Sequence, residues 1–144
     1  MKTYCLLNHT LTENQITELR EKFGSTEIIY PTKELAGIWS QIAPAETLDI
    51  SCINSVTEWL DGAEAGDTFI IQGEFGHTFA LVDYAISHGL VPLHAVARRM
   101  TEEVMEGETV RKNLVFRHVC FRKYFLYSEL YNHDIIEIKE TSIK

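Results

Sequence analysis

The chain contains few of the residues that mark disulfide-rich or membrane-spanning proteins. It has only three cysteines, Cys5, Cys52 and Cys120, which are far apart and set among apolar neighbours. Their odd number and their spacing argue against a disulfide framework or a zinc site, and favour reduced thiols in a cytoplasm. No apolar run approaches the ~20 residues of a membrane span, and the N-terminus lacks the pattern of a signal peptide.

Basic residues are also scarce. The chain carries 13 Lys and Arg against 21 Asp and Glu, a formal net charge of −8, which argues against a binder of long nucleic acids. The charge is uneven, because residues 1–90 have a net charge of −9 and residues 91–127 a net charge of +3. A local basic patch on an acidic protein favours a small anionic ligand. The alternative is a solvated hairpin with ordinary surface charge.

The length and the alternation of elements predict one α/β domain over residues 1–144, with a mostly parallel sheet and flanking helices. Predicted strands are Lys2–Leu7, Glu27–Tyr30, Asp67–Gln72, Val91–Val96 (ending at Ala97-Arg98-Arg99) and Ile135–Ile138. Predicted helices are Thr12–Gly24 with a capping box, a helix capped by Thr32, Asp49–Leu60 and Thr78–His88. A β-hairpin is predicted from Arg99–Met105 and Val110–Val119.

The strand Asp67–Gln72 is the centre of this prediction. Its apolar residues Phe69 to Ile71 are continuous, which is typical of a strand buried on both faces of a parallel sheet. The turn Gly73–Thr78 follows and leads into a helix, so it lies at the edge of the sheet where α/β proteins bind ligands. Its glycines can bring backbone N–H groups close to an anion. Alternatively, they serve the geometry of a tight turn alone.

Polar residues follow three of the predicted strands. They are Asn8-His9-Thr10, Gly73–Thr78 and Arg98-Arg99. These ends converge at one edge of a parallel sheet, and arginine offers a bidentate fork to phosphate oxygens, so the set suits binding of a phosphodiester. It lacks the ligand spacing of a metal site. His118 and Cys120 are two residues apart on a predicted strand and are interpreted as packing residues that face the same way.

Several motifs together resemble a known family. They are Leu6–Thr12, Gln72–Thr78, Gly89–Pro92 leading to Ala97-Arg98-Arg99, Val115–Val119 and Phe121–Tyr124. In combination they are similar to the small CRISPR-associated ring nucleases of type III systems, which cut the cyclic oligoadenylate second messenger. The resemblance covers most of the chain and is weakest over the last dozen residues.

The resemblance implies a Rossmann-like, CARF-like fold and a homodimer that binds cyclic tetra-adenylate across its two-fold axis, without a cofactor or metal. The site residues that the resemblance implies are Asn8, His9, Thr10, Gly73, Gly76, Arg98 and Arg99. The candidate catalytic residues are His9 and Arg99. The candidate substrate-binding residues are Asn8, Thr10, Gln72, Gly73, Phe75, Gly76, His77, Thr78 and Arg98.

The expected chemistry is metal-independent. A ribose 2′-hydroxyl attacks the neighbouring phosphodiester in line and leaves a 2′,3′-cyclic phosphate, so the protein has to orient the ribose and neutralise charge. His9 is the first candidate for the general acid or base, because imidazole can carry out either role near neutral pH. Alternatively, His9 only hydrogen-bonds the adenosine. Two further functions stay open, a protein that sequesters the ring without cutting it and a sensor that regulates a partner.

Overall fold

The computed structural model describes residues 1–131. The strands are β1 (Lys2–Leu6), β2 (Glu27–Ile29), β3 (Thr68–Ile71), β4 (Val91–Glu106) and β5 (Thr109–Lys123). The helices are α1 (Glu13–Phe23), α2 (Lys33–Ser40), α3 (Ile50–Trp59) and α4 (Phe75–Ser87), with short 3₁₀ segments at Leu60–Gly62 and Tyr127–Tyr131. The predicted terminal strand Ile135–Ile138 lies outside the described residues.

The α/β prediction with a mostly parallel sheet is confirmed. The strand order is β2-β1-β3-β4-β5, in which the first four strands are parallel and β5 pairs with β4 antiparallel. Helix α1 packs on one face of the sheet through Leu19, and helices α2, α3 and α4 cover the other face. All four residues of β3 are buried, as the continuous apolar run predicted.

Side-chain caps begin the first three helices where the sequence predicted them. The Thr12 hydroxyl accepts from the Gln15 N–H while the Gln15 side chain accepts from the Thr12 N–H, which completes the capping box. Thr32 and Asp49 cap α2 and α3 with a single bond each, accepting from the N–H groups of Leu35 and Cys52. The start of α4 was predicted wrongly, because this helix begins at Phe75 and not at Thr78. The carboxylate of Glu74 supplies the cap one turn earlier.

Strand β4 was also predicted too short. It does not end at residues 97–99 but continues to Glu106, and it pairs with β5 from Leu93 to Glu106. Only Val91 to Leu93 pair with β3, so the rest of β4 forms a two-stranded ribbon with β5 beyond the sheet. We call residues 97–118 of this ribbon the arm. Because β4 runs parallel to β1 and β3, the arm rises from the edge where those strands end.

A β-bulge lies at the base of the arm. Cys120 pairs with Val96 and His118 pairs with Ala97, which leaves Val119 as the extra residue. The bulge reverses the alternation of side chains, so His118 faces α1 on the same side as Phe121 while Cys120 faces the other way. The prediction that His118 and Cys120 face the same way is therefore wrong.

Helix α1 holds this base in place through a buried carboxylate. Glu18 accepts from His118 Nε2 at 2.8 Å and from the Phe121 backbone N–H at 2.6 Å. The Gln15 side chain contacts the other nitrogen of the same ring at 3.2 Å. These contacts give one backbone N–H at the free edge of β5 a partner and tie the base of the arm to α1.

Two of the cysteines are buried. Burial raises the pKa of the Cys5 thiol to about 12 and raises that of Cys52, for which the Asp49 carboxylate is a second cause. Both thiols are therefore small core side chains and poor nucleophiles at neutral pH. No helix within residues 1–131 is long and apolar enough to cross a membrane.

Candidate functional site

The ends of β1 and β3 lie side by side. Leu6 pairs with Ile71, and the Gln72 N–H donates to the Leu6 carbonyl at 3.3 Å, so Asn8 and Gly73 follow next to each other. From β1 the chain crosses to β2 on one side, whereas from β3 it crosses to β4 on the other side. This reversal opens a crevice at the carboxyl edge of an α/β sheet, which is where ligands bind in such folds.

Gly73 is required by a tight contact with Trp39. A Cβ atom at position 73 would lie 2.6 Å from Trp39 Cζ2 and 2.8 Å from its Nε1. Trp39 is only 2 % exposed, and its indole N–H donates to the Gln72 carbonyl at 3.0 Å. The glycine therefore lets the end of β3 lie directly on the indole ring. This role is the geometric alternative considered for the turn.

The Gln72 side chain bridges β3 and β4. Its Oε1 accepts from the Ala95 N–H at 2.7 Å, just beyond the last backbone pair between Ile70 and Leu93. The side chain thus takes the place of a backbone hydrogen bond between the strands at the point where β4 separates from β3. The amide oxygen is committed to this contact, which leaves the Nε2 group as the hydrogen-bond donor of this side chain.

The N-terminus of α4 is occupied by the protein itself. The Glu74 carboxylate accepts from the Gly76 N–H at 2.7 Å and from the His77 N–H at 3.1 Å. His77 is 3 % exposed, and both of its ring nitrogens have partners. The Asp49 N–H donates to Nε2 at 2.9 Å, so Nδ1 carries the proton and donates to Glu74 at 2.9 Å.

This network changes the expected roles of the glycine turn. The backbone N–H groups of Gly76 and His77 were expected to receive a ligand anion, yet they already bind a carboxylate. The His77 ring links α4 to the start of α3 and is closed to a ligand. The hydrogen bond from His77 and those from the two backbone N–H groups hold the pKa of Glu74 below its ordinary value of 4.5.

Replacing Glu74 with glutamine should lower the free energy of unfolding in a pH-dependent way. Because the folded pKa is depressed, the carboxylate contributes its full stabilisation above its ordinary value of 4.5 and loses it as pH falls through the folded pKa. Urea unfolding from pH 7 to pH 3 should show a constant difference from wild type above pH 4.5 that shrinks below it. Glu108→Gln, in the exposed hairpin turn, should show no such trend. A difference independent of pH would show that the charge of Glu74 does not stabilise α4.

A pocket of about 770 Å³ opens beside this turn. Helix α4, strand β4 and the segment after β5 line it, through Gln72, Gly73, Phe75, Gly76, Thr78, Phe79, Val82, Asp83, His94, Tyr124, Phe125 and Leu126. We call it the α4 pocket. Its volume and its mostly apolar lining are those of a small-molecule site. Five residues predicted to bind substrate line it, namely Gln72, Gly73, Phe75, Gly76 and Thr78.

Hydrogen bonds and a ring contact link the residues at the floor of the α4 pocket. The Tyr124 hydroxyl donates to the Ile71 carbonyl at 2.7 Å, and its ring lies 4.7 Å from that of His94 between centroids. Arg122 Nε donates to His94 Nε2 at 3.2 Å. Burial, followed by the charge of Arg122, lowers the pKa of His94, so its ring is a neutral surface at physiological pH.

His9 lies outside the α4 pocket, in the exposed turn after β1. Its Nδ1 lies 3.1 Å from the Thr10 carbonyl oxygen. A carbonyl can only accept, so Nδ1 carries the proton and Nε2 is the atom that can take one up. Asn8 and Thr10 flank it on the same turn. The polar residues after β1 thus form a separate part of the crevice, next to the Gly73 turn.

Arg98 and Arg99 lie on opposite faces of the arm. Leu93 and Ala95 pack toward α1, whereas His94 lines the α4 pocket, and side chains alternate along a strand. Arg98 therefore shares the pocket side, about 13 Å along the strand from His94. Arg99 shares the α1 side. The expectation that both guanidiniums end one strand and meet one ligand together is corrected by this geometry.

A third arginine stands directly opposite Arg98. Arg98 pairs with Arg117 across the ribbon, and Arg117 Nη2 lies 3.7 Å from Glu102 Oε1. Like charges directly across a sheet repel each other, so this pair has a cost that a bound anion would offset. The pairing follows from the two-residue turn Gly107-Glu108, which sets the register of the arm from its tip down to His118.

The family model that matches the chain is the uncharacterized protein MJ1673 family, over residues 1–122. The chain belongs to this family. It is 33% identical over 125 residues to the uncharacterized protein MJ1673 of Methanocaldococcus jannaschii, an alignment that covers 85% of this chain and 96% of that protein. No solved structure is significantly similar to the chain.

Several residues of the α4 pocket were not among the predicted site residues. They are Phe79, Val82, Asp83, His94, Tyr124, Phe125 and Leu126. A spacing of four residues from Phe75 to Phe79 and then to Asp83 places these three on one face of α4. The sequence prediction missed this face because it began the helix at Thr78, after Phe75.

Within residues 1–131, no group of three or more His, Cys, Asp or Glu side chains could hold a metal ion.

Proposed function

We propose that this protein is a ring nuclease that binds cyclic tetra-adenylate in the cytoplasm and cuts it to linear products with 2′,3′-cyclic phosphate ends, which would switch off type III CRISPR signalling. One observation carries the proposal: the α4 pocket opens at the carboxyl edge of the sheet, and Arg98 lies on the same side of β4. An apolar pocket next to a guanidinium suits a ligand made of flat bases and phosphates. The family resemblance of the sequence motifs points to the same ligand.

The proposal also includes a Rossmann-like, CARF-like fold. The order β2-β1-β3-β4 with parallel strands and helices on both faces is that expected of a Rossmann-like, CARF-like domain. The arm is an addition at the ligand edge. A cyclic ring of four phosphates has near two-fold symmetry, so a homodimer with its axis over this edge would offer each half the same contacts.

The division of the site fits the proposed chemistry. His9 and Arg99 belong to the turn after β1 and to the α1 side of the arm, apart from the α4 pocket. A ligand that spans both parts would be anchored in the pocket and attacked near His9. In this arrangement His9 Nε2 accepts the proton of the 2′-hydroxyl as that oxygen bonds to phosphorus, and an arginine neutralises the charge that develops on the phosphate. The bond from phosphorus to the 5′-oxygen breaks, and the leaving oxygen takes up a proton from water.

Incubation with cyclic tetra-adenylate in the presence of EDTA is the direct test. We expect linear oligoadenylates with 2′,3′-cyclic phosphate ends, resolved by chromatography, because the attack uses the ribose hydroxyl and no metal. Binding without products would instead make the protein a sponge or a sensor of the ring. Absence of both binding and products would overturn the proposal. Sedimentation at micromolar concentration, with and without the ring, tests the dimer in the same samples.

Replacing Arg98 and Arg99 together with alanine should weaken binding of cyclic tetra-adenylate by about 10-fold or more and flatten its salt dependence, since fewer phosphates are neutralised. The unfolding free energy should change by less than ~0.5 kcal/mol, because both side chains are exposed. The double variant Arg111→Ala/Lys112→Ala, near the tip of the same arm, is the matched control. Equal losses in the two double variants would mean that the arm attracts the ligand only by its overall charge.

A further inference from the structure

Three phenylalanine rings give the α4 pocket its shape. Phe75 and Phe79 lie one turn apart on α4 and are 92% and 77% exposed, and Phe125 comes from the segment after β5. Large apolar rings that are both exposed and grouped around a pocket mark a binding surface. Flat aromatic rings in a pocket are the surface on which nucleobases stack.

A buried hydroxyl in the same pocket has no partner. Thr78 lines the α4 pocket, and its Oγ1 makes no hydrogen bond within the described residues although it is shielded from solvent. An unpaired buried polar atom is costly, so its presence calls for an explanation. Threonine in a helix has two accessible rotamers, and the second exchanges the hydroxyl with the methyl group. A ligand atom in the pocket would supply the missing partner.

The rim of the pocket adds one acceptor and one donor. Asp83 continues the face of α4 that carries Phe75 and Phe79, and its exposed carboxylate can only accept hydrogen bonds. The Gln72 Nε2 group is a donor at the other end. An amino group on the ligand would satisfy Asp83, whereas a carbonyl oxygen in its place would be repelled by the carboxylate.

We propose that the α4 pocket holds a single nucleobase stacked on Phe79 and Phe125, and that Asp83 and Thr78 select a purine with an amino group at position 6. The inference rests on the proposed function and adds the residues that recognise the base. It also separates two tasks, because the pocket binds the base and Arg98, on the same side of β4, binds the attached phosphate. A mononucleotide is then the smallest ligand that can contact both the pocket and Arg98.

Calorimetric titration with adenosine 5′-monophosphate tests the stacking. Phe79→Ala should weaken binding by about 10-fold or more. Phe116→Ala is the matched control, since this ring is 65% exposed on the arm and away from the pocket, and it should bind like wild type. Thr78→Val keeps the side-chain shape, so it should weaken binding by about 3- to 10-fold while the urea midpoint stays equal or rises.

Comparison of adenosine and inosine monophosphates tests the selection. These ligands differ at position 6, where the first has an amino group and the second an oxygen, and at N1, which accepts a hydrogen bond in the first and carries a hydrogen in the second. Wild type should prefer the adenosine nucleotide by about 10-fold. Asp83→Asn should lose or reverse this preference, because its amide can donate to the oxygen. An unchanged preference in Asp83→Asn would overturn the assignment of Asp83.

The outcomes distinguish this inference from the proposed function. If Phe79→Ala and Thr78→Val bind and cut cyclic tetra-adenylate like wild type, the α4 pocket does not bind the base, while the proposed ring nuclease activity is kept. If both variants bind the mononucleotide more weakly but wild type never cuts the ring, base binding in the α4 pocket is supported and the proposed function fails. If Phe79→Ala dissociates a dimer and leaves nucleotide affinity unchanged, the pocket is a contact between subunits and the inference is overturned.

Discussion

Gly73→Ala is expected to lower the free energy of unfolding by about 1–3 kcal/mol, the usual cost of an added methyl group in a tightly packed place. The new Cβ would lie 2.6 Å from Trp39 Cζ2, where no side chain fits without movement. Relief requires the indole ring to shift, and that would break its hydrogen bond to the Gln72 carbonyl. Urea unfolding followed by tryptophan fluorescence measures the change.

Gly37→Ala is the matched control. Nothing lies within 4 Å of a Cβ at position 37, which is inside α2, so this substitution should stabilise the protein by roughly 0.5–1 kcal/mol. The same chemical change should therefore have opposite signs at the two glycines. A double-mutant cycle with Trp39→Phe adds a second check, because the smaller ring should reduce the cost of Gly73→Ala. Equal costs in the two backgrounds would show that Trp39 does not impose the glycine.

His9→Ala should lower the single-turnover rate of ring cleavage by about 100-fold or more while binding of cyclic tetra-adenylate stays close to wild type. The hydrogen bond from Nδ1 to the Thr10 carbonyl leaves Nε2 as the atom that accepts a proton. His9→Gln should be as slow, because an amide can donate and accept hydrogen bonds but cannot exchange a proton near neutral pH.

The histidine at the far end of α4 serves as the control for this prediction. His88→Ala removes an exposed imidazole whose Nδ1 contacts the Tyr84 carbonyl, distant from the ligand edge of the sheet, and should cut at the wild-type rate. If His9→Gln restores the rate and His9→Ala mainly weakens binding, His9 positions the adenosine only. If both variants cut normally, alignment of the 2′-hydroxyl by the rest of the site is sufficient and the general-base role is wrong.

Local patterns predicted the elements that depend on near neighbours in the chain. The Thr12–Gln15 capping box forms as predicted, because each partner lies within one helical turn of the other. The buried strand β3 was recognised from its uninterrupted apolar residues. The start of α4 was missed because glutamate is an uncommon cap, and Glu74 takes this role through its contact with His77, which is itself fixed by Asp49 from a distant helix.

The arm shows a different limit of sequence reasoning. Its alternating residues predicted a hairpin, and the hairpin is present. The sequence did not show that the hairpin is continuous with β4, because nothing local separates a strand end from a strand that leaves its sheet. Because β4 continues into the hairpin, Arg98 and Arg99 do not lie together at a strand end but on opposite faces of the ribbon.

The sequence by itself determined the fold class, the parallel sheet, three helix starts and the polar character of the β1 and β3 turns, because these features depend on residue spacing within one element. Only the tertiary structure decided which of those residues share a site. The α4 pocket joins α4 to His94 and to Phe125, far apart in the chain, and the bulge at Val119 turns His118 and Cys120 to opposite faces of the ribbon. The reason is that side-chain facing depends on register, and register is fixed by pairing between strands, which no local stretch of sequence contains.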